Sequence, residues 1–173
     1  NFNDIINDGT LIVLFERISD EVTCDKLVVD DLESSFEETK RLIKLGCKKI
    51  ALFSTIDNLS VGKLRAKGYF RAIEQSGLEI NRSLLLKTES EADFDLLAKH
   101  LFETEKIDAV FALDEHASVS AIKLGLKNGY KIPENLNVIG FADGVWSRRM
   151  VPSLSTVSQH VPEIGEVAAK LLI

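Results

Sequence analysis

One stretch limits the folds open to this chain more than any other. Ala109–Leu113 (AVFAL) is a continuous apolar run with no polar alternation. A strand with one wet face alternates apolar and polar residues, so an unbroken run is what a strand covered on both faces requires. The segment before it opens at Ser90 and places Phe94, Leu97, Ala98, Leu101 and Phe102 at i, i+3, i+4, i+7 and i+8, one face of a helix. The segment after it opens on Asp114, runs to about Asn128 and stops at Gly129. The pattern recurs along the chain. Leu11–Phe15, Leu27–Val29, Ile50–Phe53, Leu84–Leu86 and Leu136–Ile139 read as further strands. Glu33–Leu45, closed by Gly46, reads as a helix; so do a segment capped by Ser60 and ending at Gly77, and one with Pro162 in its first turn. Strand–helix alternation at this pitch predicts right-handed βαβ units: an α/β, doubly wound parallel sheet with helices on both faces.

In such sheets ligands bind outside the carboxyl ends of the strands. Three strand ends carry polar residues there: Ser54-Thr55-Ile56-Asp57, Asp114-Glu115-His116, and Gly140-Phe141-Ala142-Asp143. Asp114 and Glu115 have the types of a general acid/base pair. Acidic residues also suit a helix N-terminus through capping and the helix dipole, and that reading is the stronger. Little else in the sequence points to catalysis. There is no G-x-G-x-x-G, no phosphate-binding G-x-x-x-x-G-K-[ST] and no G-x-S-x-G, and His100, His116 and His160 have no identifiable nucleophile nearby.

Composition narrows the classes further. The net charge is -6, and Lys48-Lys49 and Arg148-Arg149 are isolated basic pairs, so no basic face for nucleic acid is indicated. The two cysteines, Cys24 and Cys47, lack metal-ligand spacing and read as reduced thiols of a cytoplasmic protein, and no cofactor motif is present. No apolar run approaches the roughly 18 residues of a membrane span. The polar start lacks both a basic leader region and a Met, which reads as an interior cut.

Several motifs then appear in a particular order. They are Gly46-Cys47-Lys48-Lys49-Ile50-Ala51, similar to G-H-x-x-I-A; Arg65-Ala66-Lys67-Gly68-Tyr69, matching R-x-x-G-[YFW]; and Asp108-Ala109-Val110-Phe111-Ala112 with Asp114. Ile132 to Phe141 is similar to I-P-[ED]-D-[IL]-x-V-[IV]-G-[FY], with Asn135 at the Asp position, and Pro152 to Gln159 follows P-x-L-[ST]-T-[VI]-x-Q. Leu14-Phe15-Glu16-Arg17 extends the match upstream, similar to F-D-R. From Lys26 to Ile173 the chain resembles the effector-binding core of the LacI/GalR (lactose-repressor-like) transcription regulators.

That resemblance implies a periplasmic-binding-protein-like architecture of two lobes closing on a ligand. Residues 1–29 would belong to the N-terminal lobe, 30–157 to a nearly complete C-terminal lobe, and 158–173 to a crossover and a helix returning to the first lobe. It implies a small-molecule effector, carbohydrate in class, operator DNA bound by a helix-turn-helix head absent here, and a homodimer. It assigns Arg65 to effector hydroxyls or carboxylates, where a guanidinium fork suits them. Asp114 and Asp143 would accept from sugar hydroxyls. Trp146 is either a stacking platform in the same loop or a packing residue at a lobe or dimer surface. The chain also departs from the family pattern. Leu113 stands where many members have Asn, Ala142 where many have the first acidic residue of the loop, and Cys47 where His is usual. Three functions compete: the sensing part of a regulator, a periplasmic binding protein of a sugar transport system, and an α/β enzyme, for which no nucleophile or cofactor motif is visible.

Overall fold

A computed structural model describes the backbone of residues 1–173 and the side chains of all but Glu91, Val145 and Trp146. Five parallel strands form the main sheet: β3 (Ile50–Ser54), β4 (Leu85–Lys87), β5 (Ala109–Ala112), β6 (Asn137–Phe141) and β7 (Ser155–Val157). Their order is β4-β3-β5-β6-β7. The order reverses between β3 and β5, which pair in register from Ile50 with Ala109 to Phe53 with Ala112. A crevice opens at such a reversal, beyond the carboxyl ends of the two strands. A separate sheet of two parallel strands, β1 (Val13–Phe15) and β2 (Asp25–Leu27), precedes it.

Period-two alternation divides the buried side chains between two faces. Ala51, Phe53, Val110, Ala112 and Val138 pack against Phe94, Ala98, Leu101 and Phe102 of α4 (Glu91–Thr104) and Ala117, Ala121 and Ile122 of α5 (Glu115–Lys127). Ile50, Leu52, Ala109, Phe111, Ile139 and Phe141 pack against Leu42 of α2 (Asp31–Lys44) and Ala66, Tyr69 and Ile73 of α3 (Ser60–Gln75). β5 is fully buried from end to end, as its unbroken apolar run requires. Asp114 and Ser90 cap α5 and α4 with their side chains, and Gly46, Gly77 and Gly129 follow their helices at φ +96, +69 and +83. These are left-handed positions that glycine takes without the Cβ penalty.

The elements differ from the sequence reading at their edges. α2 begins two residues earlier than Glu33, because Asp30 rather than a later residue caps it through Glu33 N–H at 3.0 Å. α3 has Leu59 at its cap position with no side-chain bond, so Ser60 is its first residue and not its cap. Leu84 closes a 3-10 turn, and only Leu85–Lys87 pair as a strand. The Leu27–Val29 run enters its sheet early, at Asp25–Leu27. Leu11–Phe15 shortens to Val13–Phe15 and is not fully buried; its main neighbours are β2 and one helix. That helix is α7 (Val161–Leu171), amphipathic yet with no buried residue. Three short elements have no counterpart in the sequence reading: α1 (Phe2–Asn7), α6 (Val145–Arg149) and β7, whose first two residues are exposed and so lack a strand's apolar signature. No helix of the described residues is long and apolar enough to cross a membrane.

Helices α2 and α3 meet at a glycine. A Cβ built on Gly68 would lie 2.3 Å from the Leu32 carbonyl oxygen, 2.7 Å from Ser35 Cβ and 2.9 Å from Phe36 N. Two of these are backbone atoms, so the helices themselves would have to separate. Gly68→Ala should lower the unfolding free energy in urea by about 1–3 kcal/mol. Gly165→Ala, on α7 where nothing lies within 4 Å of the added atom, should be neutral or stabilising by up to ~1 kcal/mol.

Candidate functional site

The site is assembled at the carboxyl ends of β3, β5 and β6, and its centre is Arg65. The arginine projects from the second turn of α3 and is only 2 % exposed. A guanidinium cannot lose its charge in a protein, so burial demands a partner for it. Nε donates to Asp31 Oδ1 at 2.7 Å, Nη1 to the Leu113 carbonyl at 2.7 Å, and Nη2 to Gln159 Oε1 at 3.0 Å. Arg65 Cζ lies over the Phe141 ring, 3.8 Å from its centroid, the arrangement that favours a cation over an aromatic face.

The two carboxylates named with it from the sequence are engaged as well. Asp114 accepts Ala117 N–H with Oδ1 at 2.9 Å, capping α5, and Thr55 N–H with Oδ2 at 2.8 Å, which ties the loop after β3 to the end of β5. Asp143 Oδ2 accepts Gln159 N–H at 2.6 Å. Arg65, Gln159 and Asp143 are thus one connected chain, while Asp114 belongs to the neighbouring β3–β5 rim. Both Asp114 and Asp143 are partly exposed on the crevice side, whereas Leu113 and Ala142 are buried in the core on either side of the sheet. Trp146 lies outside the described side chains. Next to these, Glu115 Oε1 and His116 Nδ1 are buried without a partner, and Glu115 occupies the place a side chain at Gly144 would need. Among the described residues, no group of three or more His, Cys, Asp and Glu could hold a metal ion.

Two participants escape the sequence reading. A helix starting at Glu33 leaves Asp31 outside it, although the Asp30-Asp31 doublet is the kind of signal that marks a helix start. Gln159 enters only as part of a motif. Both lie on the connections between the two sheets: Asp31 just after β2, Gln159 just after β7. Beside Gln159 a largely apolar cavity of about 240 Å³ is walled by Phe15, Val29, Val161 and Ile164.

Burial raises the Asp31 carboxyl above its ordinary 3.8, an effect that the charge and hydrogen bond of Arg65 only partly offset and that Glu16 and Asp30 reinforce. The folded chain then holds this proton more tightly than the unfolded chain. The stability it contributes is complete below pH 3.8 and falls as pH rises through the raised value. Asp31→Asn keeps an acceptor for Nε and should remove that part of the decline in a series of urea titrations between about pH 3.5 and 7. An unchanged slope would place the Asp31 proton in the ordinary range.

Comparison with known proteins agrees with this architecture. Residues 39–173 match the family model of the periplasmic binding protein-like domain. The HTH-type transcriptional regulator DegA of Bacillus subtilis is 28% identical over 163 residues, 94% of this chain and 48% of that protein. A regulatory protein of the LacI family from Chloroflexus aggregans superposes with a TM-score of 0.86 at 23% identity, covering 98% of this chain and 62% of the other. A sugar-binding transcriptional regulator of the LacI family from Escherichia coli, solved with phosphate, gives 0.81 at 25% identity, over 99% and 63%. The chain spans about half the length of the curated relatives it matches. It belongs to the periplasmic binding protein-like family of domains, in the branch carried by LacI-type transcription regulators.

Proposed function

We propose that this chain is the effector-sensing part of a cytoplasmic, DNA-binding transcription regulator. The observation that carries the reading is the reversal of strand order between β3 and β5, with polar residues at the strand ends and both connections to the smaller sheet fixed beside it. Residues 30–157 form one lobe. Residues 1–29 and the returning helix after residue 157 form part of a second, and a small molecule held between the lobes biases their closure. Operator binding would belong to a helix-turn-helix outside this chain. The family of regulators around it supports this, among them one described as sugar-binding, and a carbohydrate is the effector class we favour. Asp114 and Asp143, partly exposed at the rim, would accept from its hydroxyls through lone pairs the backbone N–H groups leave free, with Arg65 directly beneath. Leu96 and Leu97, left exposed on α4, support assembly as a homodimer. The relatives are regulators rather than enzymes.

A sugar-transport binding protein is the competing reading, since it shares the fold. The two are separated by the coding sequence immediately upstream of Asn1. A helix-turn-helix of some fifty to sixty residues is expected; a secretion signal leading directly into the first lobe would overturn the regulator. Given the former, a gel shift of the complete protein on DNA from its own promoter should respond to a sugar, and Asp143→Ala should weaken that response about tenfold while DNA binding without sugar persists. An unchanged sugar titration would remove Asp143 from the effector site.

A further inference from the structure

The burial of Arg65 sets it apart from the rim carboxylates. Asp114 and Asp143 are partly exposed, while the Arg65 guanidinium is 2 % exposed. Three of its donors are already used, and they reach three different parts of the chain. Asp31 lies on the first connection between the sheets, Gln159 on the second, and Leu113 at the end of the central strand β5. Asp31 and Gln159 themselves share no hydrogen bond; the guanidinium is what joins them. Gln159 is held a second time, through its N–H, by Asp143. Phe141, at the end of β6, closes the remaining face of the group.

We propose that Arg65 is a positioning residue that couples the two connections, so that they move as one when the lobes close. The proposal rests on the regulator reading for its consequence: an effector touching Asp143 shifts the Gln159 backbone, and through the guanidinium that displacement reaches the Asp31 connection. A lobe hinged on two independently flexible segments could twist as well as close. One hinged on two segments joined through a single rigid fork has the closing motion favoured. Lysine cannot substitute, because one ammonium on a flexible stem does not present three donors in this fixed plane.

The test needs neither effector nor DNA, so its failure is distinguishable from failure of the regulator reading. Amide hydrogen exchange is measured by mass spectrometry on peptides spanning residues 28–34 and 157–162, in the wild type, Asp31→Asn, Gln159→Leu and the double variant. The two substituted residues lie on different connections, so without coupling each would loosen its own segment and the effects would add. The expected result is that Gln159→Leu accelerates exchange at both segments by roughly fivefold, and that the double variant departs from additivity by a similar factor. The same cycle in an Arg65→Lys background should be additive. Effects confined to each residue's own segment, or a cycle that stays non-additive in the Arg65→Lys background, would overturn the proposal. Should Arg65→Lys not fold, the first cycle alone decides: additivity refutes the coupling.

Discussion

A permanent positive charge sealed under the end of a parallel sheet is the constraint around which this chain is arranged. Removing a partner from a buried ion pair costs roughly 3–5 kcal/mol, because the remaining charge is left uncompensated. Asp31, the Leu113 carbonyl and the Gln159 amide each supply an acceptor to that charge. Their positions in turn fix where the chain leaves the smaller sheet, where β5 ends, and where it departs again toward α7. The carboxyl-end rim is organised in the same manner. Asp114 links the β3 loop to the start of α5, and Asp143 holds the second connection. Polar residues that a ligand site would use are here also the fasteners of the scaffold, which ties the geometry of the site to the two connections between the sheets.

The core explains why this end of the sheet is rigid enough for such a role. β5 is buried throughout and registers with β3 and β6 along its length, while α3 can approach α2 closely only because Gly68 has no side chain. That approach brings Arg65, three residues before Gly68 on the same helix, within reach of Asp31 on the first turn of α2. A bulkier residue at 68 would lift α3 and carry the guanidinium away from its carboxylate. The smaller sheet is the opposite case. β1 and β2 are only half-covered and α7 buries no side chain.

Much of the larger lobe was legible in the sequence because its signals are local. The unbroken AVFAL run, the period of α4 and the Ser90 and Asp114 caps each sit within one element, and each appears in the structure where the spacing puts it, except that Leu97 of the α4 stripe is exposed because the buried face is narrower than the period implies. Shorter or half-exposed elements left no such mark. β7 shows two exposed residues of three, and β1 and β2 have a core on one side only, so their boundaries moved. At the site, the motif picked out Arg65, Asp114 and Asp143, but not what they touch. Asp31 and Gln159 lie 34 and 94 residues from Arg65, a separation over which periodicity and capping rules carry no information. For the same reason the motif carried no sign that Arg65 is buried with three of its five donors engaged.

The most direct test of this account is the side-chain nitrogen spectrum of the arginines in solution. The Nε–H of Arg65 should give a resolved resonance, protected from exchange with water, displaced by the Phe141 ring and connected through space to the Asp31 side chain. Arg148 and Arg149, both exposed, should exchange rapidly in the same sample. An Arg65 signal that exchanges as fast as theirs would mean that the guanidinium is open to solvent, and the coupled connections would lose their physical basis.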